Sequence, residues 1–195
     1  RNNFNKFLSL HATQEVEVKW NVGYDTIGND FFLEDAEAKR NVVEYNLGLG
    51  TKAIVLPPGA NPPVGDEDKE PAAFWFMSAD NKIANNRAAG STHYGFWYSP
   101  TANDSFAVDG ANSYFKDNVA HSNGHHGIYQ DKVFSNSASP RAQPWYPAVW
   151  NAIAGLYDGP YQMQDCTAYK NRRNGVWVRS YGRVVLDGLK VADNR

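Results

Sequence analysis

Histidines and aromatic residues recur at matched positions in this chain of 195 residues. His93-Tyr94 and His125-His126 occupy the same place in two copies of one segment, Asn86 to Trp97 (NRAAGSTHYGFW) and Asn118 to Tyr129 (NVAHSNGHHGIY). Imidazole titrates near neutral pH, so His126 with Tyr94, or His125 with Glu34 or Asp131, has the groups for general acid–base chemistry. The same residues also suit turn and surface hydrogen bonding. A paired-carboxylate glycosidase is harder to build. Glu34 and Asp131 fall in one alignment column three units apart, roughly 14 Å at the spacing of neighbouring strands. Glu34 and Asp35 are neighbours and face opposite ways on a strand.

The elements that must position these groups are repeats. Aligning the copies places Asn21, Asn46, Asn86, Asn118, Cys166 and Lys190 in one column at spacings of 25, 40, 32, 48 and 24 residues. Gly23, Gly48, Ala88, Ala120, Ala168 and Ala192 follow two residues later, which suggests a tight bend. Nine residues after most of these Asn positions stands Asp30, Gly95, Gly127 or Gly175, and an apolar run then opens. Those runs, Phe31 to Leu33, Phe96 to Tyr98, Ile128-Tyr129 and Val176 to Val178, read as strands. The strands follow one another too closely for a crossover helix. The expected fold is therefore an all-β, right-handed parallel β-helix solenoid of about five to six rungs. In that fold the asparagines hydrogen-bond from rung to rung and tolerate left-handed backbone.

Stacked rungs turn each alignment column into a ladder. Alternation along the strand sends Phe31, Phe96, Ile128 and Val176 inward, with Gln130, and sends Phe32, Trp97, Tyr129 and Trp177 outward. Glu34, Ser99, Asp131 and Arg179 share the outer face two residues on, while Arg173 continues the column of His93 and His125. Flat rings beside carboxylates and guanidinium groups suit a sugar polymer, whose C–H faces pack on rings and whose acid groups pair with arginine. The competing expectation is that this aromatic ladder is covered by insertions or by another domain.

Composition bounds the rest. Glycines number 16 and aromatics make up 14% of the chain, which fits a well-filled all-β core punctuated by turns. No apolar run approaches the ~20 residues of a membrane span, so no direct membrane insertion is expected of this segment. The net charge of -2 argues against a general nucleic-acid binder, yet it is unevenly spread. Through Pro160 there are 12 Lys and Arg against 18 Asp and Glu, and from Tyr161 onward 7 against 3. Proline-rich insertions are expected near 51–73 and 136–160, the second carrying Trp145, Tyr146, Trp150 and Tyr157. The single cysteine, Cys166, reads as a small buried residue, and Asn103-Asp-Ser105 is a glycosylation sequon consistent with secretion. The chain contains no phosphate-cradling Gly-rich loop, paired Cys-x-x-Cys, Gly-x-Ser-x-Gly elbow or tight metal-ligand motif, so neither cofactor nor metal is expected.

Asp30 to Asp35 (DFFLED), Asn46 to Leu49, Phe74-Trp75, Asn86 to Ser91 with Gly95 to Trp97, Ala120 to Asn123, and Ala168 to Asn171 with Gly175 to Trp177 occur in order along nearly the whole chain. With these the sequence resembles the parallel β-helix region shared by the cell migration-inducing hyaluronan-binding protein, its transmembrane relative and the fibrocystin-like proteins. His11 matches a family-like histidine before the first rung, whereas Gly28-Asn29 stands where the resemblance leads one to expect Gly-His. The resemblance implies one extracellular or cell-surface domain cut from a longer chain, with neighbouring domains as partners. Two functions stay open. One is a structural or adhesive module that binds a polysaccharide or glycosaminoglycan through Phe32, Trp97, Tyr129, Trp177, Arg173 and Arg179. The other is a polysaccharide-degrading enzyme, a hyaluronidase-like hydrolase or lyase, using His125, His126 and Tyr94 with Glu34 or Asp131.

Overall fold

The computed structural model describes residues 3–35, 37–55, 69–99, 113–131, 161–179 and 184–195. Their strands form three parallel sheets of six strands each, so that every rung contributes one strand to each sheet. Sheet one contains β1 (Phe4–His11), β4 (Ile27–Glu34), β7 (Ala72–Phe76), β10 (Tyr94–Tyr98), β13 (Ile128–Asp131) and β16 (Val176–Arg179). Sheet two contains β2 (Glu17–Lys19), β5 (Val42–Glu44), β8 (Lys82–Ala84), β11 (Tyr114–Lys116), β14 (Tyr161–Gln164) and β17 (Val184–Asp187). Sheet three contains β3 (Val22–Tyr24), β6 (Leu47–Leu49), β9 (Arg87–Ala89), β12 (Val119–His121), β15 (Thr167–Tyr169) and β18 (Lys190–Ala192). The chain is a parallel β-helix, as the repeat predicts.

The core follows from the alternation of side chains. Phe31, Phe74 and Phe96 stack face to face along the axis, with centroids 4.6 and 4.8 Å apart, and the next rung continues with Ile128. Phe76 and Tyr98 form a second internal stack at 5.1 Å. Each such buried side chain contributes about 1.5–3 kcal/mol relative to exposure. Val18, Val43, Ile83, Phe115 and Met163, at the inward positions of sheet two, close the other side. Gln130 faces inward as the alternation requires and is 1% exposed, but its Oε1 has no hydrogen-bond partner among the described residues.

Corners are made by a left-handed residue followed by a ladder side chain. Between sheets two and three the left-handed residues are Trp20, Tyr45, Asn85, Asp117, Asp165 and Gly188, with φ between 51° and 63°. Two residues join these sheets in all six rungs. The asparagine that follows caps the corner. Asn46 donates from Nδ2 to Asn86 Oδ1 (3.1 Å) and to the Val18 carbonyl (2.8 Å), and Asn86 does the same to Asn118 Oδ1 (3.2 Å) and the Val43 carbonyl (2.8 Å). The rung-to-rung ladder is as expected, but the left-handed strain falls on the preceding residue, so the asparagine itself is free to point inward. Two further ladders occupy the other corners. Asn41 and Asn81 are linked by the Asn41 N–H donating to Asn81 Oδ1 at 2.9 Å, and Asn123, Asn171 and Asn194 are joined by amide bonds of 2.9 Å each.

Three expectations are corrected. Ala72–Phe76 is the sheet-one strand between those of Phe31 and Phe96, which the aligned strand runs omit because a long segment separates it from the preceding corner. The last rung is one residue shorter than aligned. Thr167 pairs with Lys190 and Ala168 with Val191, so Leu189 follows Cys166 in the Asn column and Val191 replaces Ala192 among the small residues. The small column, finally, is not a bend but the inward centre of sheet three, where it meets sheet one. A Cβ on Gly95 would lie 2.6 Å from the Gly127 carbonyl oxygen and 2.9 Å from the Ala120 Cβ, and one on Gly23 would lie 2.7 Å from Asp30 Cγ. The outer part of the first expected insertion stays in the stack: Thr51 accepts a hydrogen bond from the Thr92 amide, and Ala72 and Ala73 belong to β7. Asn103 and the stretch 136–160 lie outside the described residues.

Candidate functional site

Outside the core, sheet one carries a second apolar cluster formed by Phe32, Trp75 and Tyr94, with Trp97, Tyr129 and Met77 packed against it. Strand register builds it. Phe32, Trp75, Trp97, Tyr129 and Trp177 are Cα partners in successive rungs, and their side chains all leave the outer face. Phe32 and Trp75 stack at 4.4 Å, Trp75 meets Trp97 edge-on at 6.4 Å, and Trp97 meets Tyr129 edge-on at 5.6 Å. Exposure rises along the ladder. Phe32 is 2% exposed, covered by Trp75 and by the Lys6 ammonium 4.2 Å above its ring, so it underpins the wall without presenting a surface. Trp97 and Tyr129 are half-buried, and Trp177 is 41% exposed.

Tyr94 lies at the centre. It precedes Gly95, whose lack of a side chain lets β10 approach sheet three, and its ring stacks on Tyr129 at 4.4 Å and an interplanar angle of 6°. His126 lies nearly parallel to both rings, 5.9 Å from Tyr94 and 5.1 Å from Tyr129, and reaches Trp177 at 5.7 Å. His93 and His125 meet edge to face at 4.4 Å in the adjacent column, held by the His125 amide donating to the His93 carbonyl. Arg173 follows next, its amide donating to the His125 carbonyl at 2.8 Å. The three histidines, both tyrosines, Trp97, Trp177 and Arg173 are therefore brought together.

Glu34 is not. It lies three rungs from β13 and faces His11, whose Nδ1 is 3.6 Å from Glu34 and 3.1 Å from Asp35. His11 itself ends β1, in the first rung, and does not precede it. Asp131 and Arg179 are Cα partners on β13 and β16, and Arg179 is exposed; the Asp131 side chain lies outside the description. The carboxylate that does reach the cluster is Glu70, which accepts a hydrogen bond from the Tyr94 hydroxyl at 2.7 Å. Sequence reasoning missed it because Glu70 belongs to the acidic run Asp66 to Glu70, whose composition marks an excursion. Trp75 was hidden by the same interruption, although Phe74-Trp75 repeats the Phe96-Trp97 pattern.

Electrostatics favours neutral groups. Burial, the hydrogen bond to Glu70 and the Glu70 charge together hold the Tyr94 hydroxyl well above the usual phenol range. Burial pulls His125 down to about 4, aided by His93 and Arg173 and opposed by Glu70. Burial also lowers His93. Both groups thus keep one protonation state near neutrality, where an efficient acid–base pair would need pKa values close to the working pH. The aromatic walls also enclose polar ring atoms. Trp75 Nε1, Trp97 Nε1 and His125 Nδ1 have no hydrogen-bond partner among the described residues. Among those residues no group of three or more His, Cys, Asp or Glu side chains is placed to hold a metal ion. No helix among them is long and apolar enough to cross a membrane.

Known proteins share this architecture in sequence. A family model described as the CEMIP β-helix matches residues 1–128. The human protein named cell surface hyaluronidase CEMIP2 is 30% identical over 234 residues, covering 98% of this chain and 16% of that protein. The mouse cell migration-inducing and hyaluronan-binding protein is 28% identical over 231 residues, covering 98% of this chain and 17% of its own length. Mouse fibrocystin-L is 36% identical over 95 residues, 49% of this chain and 2% of that protein. The chain thus spans about a sixth of the length of the first two curated relatives. No solved structure matches. With the three-sheet stack and a family match over most of its length, the chain belongs to the CEMIP β-helix family.

Proposed function

We propose that this chain is an extracellular or cell-surface β-helix module that binds a glycan along the outer wall of sheet one. The observation that carries the reading is the continuous ladder Trp97, Tyr129 and Trp177, flanked by exposed Arg173 on a stiff parallel stack. Sugar C–H faces pack on such rings, and acid groups pair with the guanidinium. The names of the human and mouse relatives, one a hyaluronidase and one hyaluronan-binding, support a polysaccharide as the ligand class. Neighbouring domains of a longer chain would then share the ligand or present this wall.

The second reading is a glycosaminoglycan depolymerase, favoured by Tyr94, Glu70, His125 and His126 on one face. The protonation states of Tyr94 and His125 favour binding over proton transfer. One experiment tests both readings: the full chain is incubated with a panel of glycosaminoglycans across several divalent ions, and retention and product size are measured. Retention with unchanged polymer length is the expected result. Shortened polymer establishes the enzyme, and no retention of any polymer refutes the binding wall.

A further inference from the structure

The excess of cations after Tyr161 has a location in the fold. Lys170, Asn171, Arg172, Asp193 and Arg195 line a depression of about 410 Å³ at the corner between sheets three and one, in the last two rungs. Its floor is rigid. Asn171 is 1% exposed, donates from Nδ2 to Asn194 Oδ1 at 2.9 Å and to the Ala120 carbonyl at 3.2 Å, and fixes the residues on either side of it. Lys170 takes the left-handed corner position with φ 54°, and its amide donates to the Ala192 carbonyl. The Arg172 amide donates to the Asn123 carbonyl at 2.9 Å, and the next amide places Arg173 behind His125.

Several cations of the early rungs are neutralised within the fold. Lys19, Lys39, Arg40 and Lys52 pair with Glu17 and Glu44, Glu37, Glu15 and Asp25, all in the early rungs. Among the described residues, Lys170, Arg172 and Arg195 make no side-chain ion pair, although all three are exposed, and Asp193 is the one acid in the lining. Their field reaches outward from the corner. His121 on sheet three is depressed by burial, then by Arg87 and Lys170, and His93 and His125 on sheet one feel Arg173.

We propose that this corner is an anion site for a sulfated glycan, separate from the aromatic wall and beyond its proposed role. Guanidinium forks match the oxygens of a sulfate ester in pairs, and a lysine supplies a point charge between them. A glycan fits better than a nucleic acid because the positive region is one corner of a chain that carries net negative charge up to Pro160, and a long uniform polyanion would meet repulsion over the remaining surface.

The test measures binding of a heparin-derived hexasaccharide to the full chain at several salt concentrations, beside a desulfated, N-acetylated hexasaccharide and a 20-nucleotide single-stranded DNA. The sulfated probe should bind at least tenfold tighter than either. Lys170→Asn with Arg172→Gln should weaken it at least tenfold and lower the slope of log K against log salt by roughly one per cation removed. Asn tolerates the left-handed corner, and unchanged melting shows that the fold survives. Lys170→Arg with Arg172→Lys should recover most of the affinity. Trp97→Ala should leave sulfated-probe binding unchanged even where it abolishes retention on the aromatic wall, which separates the two proposals. Equal affinity for both hexasaccharides, equal affinity for DNA, or no effect of the double substitution would overturn the anion site.

Discussion

The Tyr94 hydroxyl donates to Glu70 across 2.7 Å, tying β10 to the residues just ahead of β7. Tyr94 thereby keeps its proton, and the Glu70 charge is held beside two histidines that burial would otherwise depress further. Glu70→Gln should therefore move the titrations of His93 and His125 to lower pH, measured by NMR of the ring protons. Tyr94→Phe should cost about 1.5 kcal/mol in urea unfolding, the low end for a bond to a charged group, since exposed Glu70 regains water. A rise in either histidine pKa with Glu70→Gln would show that the carboxylate does not act on them.

Asp30 is fully buried, and neither carboxyl oxygen has a hydrogen-bond partner among the described residues. Burial raises its pKa from 3.8 to about 7, with Thr26 and the Leu49 backbone pulling the other way. A raised acid binds its proton more tightly when folded, so its stabilisation is complete below 3.8 and is lost as pH rises through about 7. Asp30→Asn removes that dependence. The unfolding free energy of the variant relative to the parent should climb between about pH 4 and pH 7, toward a difference of at most ~4 kcal/mol. A constant difference across that range would contradict a neutral buried carboxyl.

The asparagine ladder makes a graded forecast. Asn86 is buried, accepts at Oδ1 from the Asn46 amide and side chain, and donates to Val43 and Asn118. Asn86→Ala should cost about 3 kcal/mol, because several buried groups lose their partners at once. Asn21, half-buried at the end of the ladder, should cost about 1 kcal/mol when replaced by alanine. Equal costs in chemical denaturation would mean that the ladder is not the source of corner stability.

On the aromatic wall, Trp97→Ala and Trp177→Ala should each weaken retention on immobilised glycan several-fold. Trp177→Ala should leave melting unchanged because its ring is 41% exposed, whereas half-buried Trp97 should lower it modestly. Retention equal to the parent for both variants would remove this face from binding.

The ladders of sheet one were legible because Phe31-Phe32, Phe96-Trp97 and Val176-Trp177 repeat at a fixed distance from a small residue, and strand alternation then fixes which member faces out. Asn123 and Asn171 end the matched Ala-x-x-Asn segments, but their role as a corner ladder, like that of Asn41, Asn81 and Asn194, does not show in the letters; the left-handed residue before most of them is what is shared, and φ leaves no letter in a sequence. The last rung carries Leu189 where earlier rungs have Asn or Cys, so no letter marks its corner and the alignment runs one residue long. Asp30 and Glu70 depend on partners far along the chain. The space for Asp30 is made by Gly23 and Gly48, and Tyr94 is 24 residues from Glu70.

The constant two-residue joint between sheets two and three contrasts with the other connections, which run from two residues between β3 and β4 to the long stretches that precede β7 and follow β10 and β13. Differences in connection length between rungs are confined to the ends of sheet one. A lineage can thus remodel the rims around one outer face while the opposite edge keeps its invariant gauge, so new specificities arise without rebuilding the spine.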